Sequence, residues 1–103
     1  AVSPWIRANL DIGHFFAAGY DPVQWIRQNH TRISNIDLCD RKKNQGPQVP
    51  WGEGDTPLRD VLLLMKREGY SFPATIQYEY KGEADSLTEV KRCFDYCKRV
   101  LAV

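Results

Sequence analysis

The chain has 103 residues, 43% of them hydrophobic and 26% charged, with a formal net charge of +1. These values fit one soluble globular domain over residues 1–103 and exclude a disordered chain. They leave no overall field to attract nucleic acid or an anionic membrane. No apolar run is long enough to span a bilayer or form the core of a signal peptide, so the expected location is cytoplasmic.

Residues 8–12, ANLDI, read as a short extended segment ending at Gly13. Asp21-Pro22 then opens a helix, with an N-cap, a proline at the first position and Gln24 to complete a capping box. Val23, Trp25 and Ile26 lie on that helix. Residues 32–40 give a second strand in which Ile36 and Leu38 share one face while Asn35, Asp37 and Cys39 share the other. An ionised carboxylate on a buried face needs a cation, a metal or several donors in return.

The loop RKKNQGPQVPWGEGD follows, with three glycines and two prolines. Connections of this length in compact domains are often functional. Its GEGD stretch lacks the pattern of a nucleotide-binding loop and reads as a turn with close backbone approach. Arg41-Lys42-Lys43 reads as a solvated turn. Thr56-Pro57 repeats the cap-then-proline signal for a helix carrying Leu58, Val61, Leu62 and Met65 and stopping near Gly69. ATIQYEY, residues 74–80, is the third strand. Ser86 and Glu89 form a second capping box before a helix with Leu87, Val90, Phe94, Cys97 and Leu101 at helical spacing.

Strand thus alternates with helix three times, and each connection can cross over between parallel strands. The three cysteines lack the spacing of a secreted disulfide framework, and Cys93 and Cys97 read as small buried residues. Trp5, Trp25 and Trp51 read as packing residues and His30 as a surface one. DIGH, DLCDR and QYEY all fall at carboxyl ends of strands, where parallel α/β proteins bind ligands.

Taken together, NLDIGHFFAAGYDP, a strand ending in DR, GEGDTPLRDVLLLMKREGY and IQYEY resemble the xylose isomerase-like TIM barrels, a family of sugar and sugar-phosphate isomerases and epimerases. The resemblance runs from about Asn9 to Leu101 and corresponds to the last three βα units of the eightfold barrel. It implies an α/β fold of three consecutive parallel βα units, a partial TIM barrel that assembles with other chains. Asp11 matches the family's strand-end metal-binding aspartate, and His14 matches the histidine of its D-x-x-H pattern, a metal or substrate ligand. The next family strand usually ends H-l-K-D; here Asp37 stands at the metal-binding histidine and Cys39 at the substrate-facing lysine, while Asp40 and Arg41 match. The last strand usually offers a glutamate that binds metal and serves as base, where this chain has Gln77. The family's first metal-binding glutamate lies on a strand upstream of Ala1.

The resemblance therefore implies a divalent cation (Mg²⁺, Mn²⁺, Co²⁺ or Zn²⁺) on Asp11, His14, Asp37 and Gln77. His14, Cys39, Asp40 and Arg41 would face a sugar or sugar phosphate. An amide cannot accept the proton, and losing a general base costs about 10²–10⁴ in rate. Glu79, on the same face as Gln77 by alternation, is the substitute base if its carboxylate reaches the cavity. The chain alone is accordingly expected to be catalytically silent, unless the rest of a barrel completes the site. Abasic-DNA nuclease chemistry, also known on this barrel, is disfavoured by the near-neutral charge and the missing histidines.

Three parallel strands cannot close a barrel that takes eight, so two edges and an inner face are left open. Association with further copies or with a complementary barrel fragment is expected. A start close before a strand and three altered pocket residues fit a segment cut out and redesigned for self-association. They equally fit natural decay of an enzyme copy.

Overall fold

The computed structural model describes residues 6–82 and 84–102. Its elements in chain order are β1 (Ala8–Asp11), α1 (Ile12–Ala17), α2 (Pro22–Asn29), a 3-10 turn (His30–Arg32), β2 (Ile33–Leu38), α3 (Leu58–Glu68), β3 (Ala74–Ile76) and α4 (Ser86–Leu101). The strands form one sheet in the order β1-β2-β3, and both pairings are parallel. Between Ala8 and Asn9 the register shifts, so that Ala8 pairs with Ile33 but Asn9 with Asn35 and Asp11 with Asp37. Ser34 is the extra residue, and past it the two strands run in step.

One face of the sheet is apolar. Leu10, Ile36 and Leu38 pack in a single core with Ile26 of α2, Leu58, Val61, Leu62 and Leu64 of α3, and Val100 of α4. Each fully buried isoleucine or leucine here contributes about 1.5–3 kcal/mol. Trp25 and Trp51 pack against this core; Trp5 lies outside the described residues. His30 is exposed and stacks on Tyr70, with ring centroids 4.7 Å apart.

Local chemistry sets the helix ends. Asp21 caps α2 by accepting from the backbone N–H groups of Val23 and Gln24. Gly69 ends α3 in the left-handed conformation, with φ 65°. Four expectations need correction. Gly13 does not end the first segment in a turn: Asp11 caps a further helix, α1, by accepting from His14 N–H. Thr56 does not cap α3; its hydroxyl accepts from Arg41 N–H at 3.0 Å. The cap of α4 is Asp85, which accepts from Thr88 N–H, while Glu89 turns inward. β3 is hydrogen-bonded as a strand only to Ile76, although Gln77 N–H still reaches Leu38 O at 2.8 Å.

The apolar spacing of α4 does not mark its buried side. Leu87, Val90, Phe94 and Leu101 are 81%, 38%, 56% and 38% exposed, whereas Glu89, Cys93 and Val100 are buried. A three-stranded sheet is too narrow to cover both sides of the outermost helix. The same narrowness leaves Ala74 of β3 exposed.

Candidate functional site

The other face of the sheet is polar, and an N-x-D pattern repeated in β1 and β2 builds it. Asn9 and Asp11 pair in register with Asn35 and Asp37. Asn9 Nδ2 donates to Asp37 Oδ2 at 3.0 Å, and Asn35 Nδ2 donates to Asn9 Oδ1 at 2.8 Å and to Asp37 Oδ1 at 3.1 Å. Thr75 Oγ1 extends the ladder to β3 by donating to Asn35 Oδ1 at 2.9 Å. Both carboxylate oxygens of Asp37 are thereby engaged by amides.

Beyond the strand ends, Asp11, His14 and Cys39 come together, each offering a ligand atom within 4.8 Å of the others. His14 Nδ1 stands 2.7 Å from Asp11 Oδ2, and Cys39 Sγ donates to Asp11 Oδ1 at 3.4 Å. His14 is exposed, Asp11 half-buried and Cys39 fully buried. Burial, then the charge of Asp11 and its hydrogen bond, push the Cys39 thiol up to about 12. Gly13 makes the arrangement possible, since a Cβ there would overlap Cys39 Sγ.

Of the expected ligand set, Asp11 and His14 fall in this group. Asp37 stays in the amide ladder, outside the Asp11, His14 and Cys39 group. Continuing the β2–β3 register places Gln77 opposite Cys39, and Gln77 Oε1 is buried without a hydrogen-bond partner. Glu79 is exposed; its backbone N–H donates to Gln48 Oε1 at 3.2 Å, and its carboxylate accepts from Gln48 Nε2 at 3.4 Å.

Asp40 and Arg41, expected to face substrate, hold the long loop in place. Asp40 is buried and accepts from the backbone N–H groups of Gly52, Gly54 and Thr56 at 2.8, 3.0 and 3.2 Å. Burial raises its pKa against the opposing pull of those three donors. Gly54 is required because a Cβ would strike Asp40 Oδ1, which is the close approach expected of GEGD. Arg41 Nε donates to Gly46 O at 2.8 Å, while Lys42 and Lys43 are exposed.

Sequence reasoning missed Asn9 and Asn35, which the repeated N-x-D spacing could have flagged, and the place of Cys39 beside Asp11. It also missed a buried cluster behind β3. Glu89 accepts from Tyr80 Oη at 3.0 Å, from Ala84 N–H at 3.1 Å and from Arg92 at 3.0 Å, and Tyr80 Oη lies 3.6 Å from Cys93 Sγ. Among the described residues, no helix is long and apolar enough to cross a membrane.

The family model described as the xylose isomerase-like TIM barrel matches residues 1–100. L-ribulose-5-phosphate 3-epimerase UlaE of Escherichia coli is 26% identical over 100 residues, which are 97% of this chain and 35% of the relative. A putative L-ribulose-5-phosphate 3-epimerase UlaE of Shigella dysenteriae matches equally. In fold, a sugar phosphate isomerase/epimerase from Parabacteroides distasonis superposes with a TM-score of 0.67 at 20% identity, covering 87% of this chain and 30% of that one. A xylose isomerase domain protein from Planctomyces limnophilus gives 0.76 at 19%, covering 95% and 36%. The chain therefore spans about a third of the length of the curated relatives it matches, as three parallel βα units of an eight-stranded barrel should.

Proposed function

Since the chain belongs to the xylose isomerase-like TIM barrel family, we propose that it is a three-unit segment of a divalent-metal-dependent sugar phosphate isomerase or epimerase, catalytically silent by itself. Gln77 carries this reading: it is a neutral amide where the resemblance expects the base. It can orient a sugar hydroxyl by hydrogen bonding but cannot take a proton from carbon. Glu79, the substitute, is held to Gln48 on the exposed rim.

The donor set fits a divalent cation, with Asp11 and His14 to hold it and Cys39 beside them. When bound, such an ion would polarise adjacent sugar oxygens. The amide ladder of Asn9, Asn35 and Thr75 supplies further donors and acceptors for a polyol. The partner that would close the barrel is its remainder; further copies of this chain can cover the same edges without closing it. Strands added in threes overshoot or fall short of the eight that close this fold.

The test is proton exchange at C3 of a ketopentose 5-phosphate such as L-ribulose 5-phosphate. The chain with Mn²⁺ or Zn²⁺ in D₂O should give no deuteration above buffer by NMR. Exchange above buffer would show that a base does operate here and would overturn the silent reading.

A further inference from the structure

We propose that Asp11, His14 and Cys39 form a thiolate-bearing metal site that selects Zn²⁺ over the hard cations Mg²⁺ and Mn²⁺. This deepens the reading above, on which it rests for the presence of a cation, by naming the ion. Three separate elements deliver the ligands: the end of β1, the first turn of α1 and the residue after β2. Their ligand atoms already lie within 4.8 Å of one another. Ligands on a tetrahedral zinc at ordinary bond lengths sit about 3.5 Å apart, so only side-chain adjustment is needed.

Two of the three are held from behind. Asp11 Oδ1 accepts the His14 backbone N–H at 2.9 Å, and Cys39 is wholly buried beneath the bare Cα of Gly13. One carboxylate, one imidazole and one thiolate make the set of three protein ligands with an open fourth position that zinc accepts. Mg²⁺ wants near-octahedral oxygen, and the nearest further carboxylate in register, Asp37, is committed to Asn9 and Asn35. The softness of sulfur moves the preference further toward Zn²⁺ and its spectroscopic stand-in Co²⁺. Continuing the β2–β3 register sets Gln77 opposite Cys39, and its Oε1 is buried with no hydrogen-bond partner among the described residues. As the sulfur–metal bond forms, the thiol proton passes to solvent.

Titrating the 103-residue chain with Co²⁺ should produce a sulfur-to-cobalt charge-transfer band in the near ultraviolet. Zn²⁺ should erase that band, and Mg²⁺ in about 100-fold excess should not. Cys39→Ser should abolish the band and weaken Zn²⁺ binding by about 100-fold or more, while a Cys93→Ser/Cys97→Ser double variant should keep it. Zinc-edge X-ray absorption on the unmodified chain should count one sulfur, which serves if Cys39→Ser does not fold. Absence of the band, its survival in Cys39→Ser, or a zinc shell without sulfur would overturn the proposal, leaving the three residues as a hydrogen-bonded cap on α1. These readouts are independent of C3–H exchange, so a failed zinc site and a failed sugar-phosphate reading are told apart.

Discussion

Two groups of acids in this small molecule meet opposite fates. Asp40 and Glu89 are buried and saturated, the first by three backbone N–H groups and the second by Tyr80, Ala84 and Arg92. Asp11, at the mouth of the sheet, has among the described residues an exposed histidine, a thiol and the first turn of a short helix around it. The difference teaches how to separate structural acids from chemical ones in an α/β chain. A carboxylate whose lone pairs are filled by donors from its own loop or helix serves the fold, whereas one that shares its space with other ligand atoms can serve a cation.

The contrast breaks most visibly at Asp40. Asp40→Ala leaves three loop N–H groups without an acceptor and should cost about 3 kcal/mol or more, read as a lower urea midpoint at unchanged slope. Glu89→Ala should cost about 2–3 kcal/mol for the same reason, and Tyr80→Phe, which removes one donor to that carboxylate, about 1 kcal/mol. The opposite group should hardly respond. Without added metal, Asp11→Asn should shift stability by at most about 0.5–1 kcal/mol, yet it should erase any rise in melting temperature caused by Zn²⁺. Equal losses at Asp40 and Asp11 would dissolve the distinction.

Proton linkage sharpens it. Burial raises the pKa of Asp40 above its ordinary 3.8 in the folded chain. The protonated form is therefore favoured by folding: its stabilising contribution is complete below 3.8 and is lost as pH rises through the raised folded value. Asp40→Asn keeps an acceptor for the loop without the charge. Its urea midpoint should change less than that of the parent chain as pH rises from strongly acid to neutral. Identical pH profiles would mean that the three donors fully offset burial.

Much of the fold was legible because its signals are local. Asp21-Pro22, Gly69 and the alternation through Ile36, Asp37 and Leu38 each act within a few residues, and the parallel order follows from the lengths between them. α1 was hidden because Gly13 reads as a breaker; here its missing side chain matters for contact with Cys39 rather than for a turn. Glu89 was assigned to a capping box because nothing in the neighbouring sequence reveals that Tyr80 draws it inward. Leu87, Val90 and Phe94 have the spacing of a core stripe but lie exposed, since spacing reports that a face is apolar and not what covers it. In the candidate site, position alone pointed to Asp37 and Gln77. Which donors converge depends on side chains meeting across three elements, and there Cys39 joins Asp11 and His14.

The open stripe offers a last contrast, between the chain alone and the chain in association. Sedimentation equilibrium at micromolar concentration should show association, driven by the edges of β1 and β3, unpaired among the described residues, and the bare side of α4. Leu87→Lys with Phe94→Lys should reduce it. A monodisperse monomer of the parent chain would remove the case for self-association.

The extra residue at Ser34 bears on how this segment tolerates change in length. Upstream of it, Ala8 is matched to Ile33; downstream, every polar residue of β1 finds its counterpart on the same side of β2. Side chains alternate along a strand, so with that single residue deleted Ile33 and Ile36 would stand two apart, as Ala8 and Leu10 already do, and the ladder would become regular. Ile33 and Ile36 would stay on the core face, Asn35 and Asp37 on the polar one, and Cys39 beside Asp11. A codon lost at position 34 would thus remove the bulge and leave core and candidate site on their own faces of the sheet, so this is the one place in the strand where a change of length costs no register.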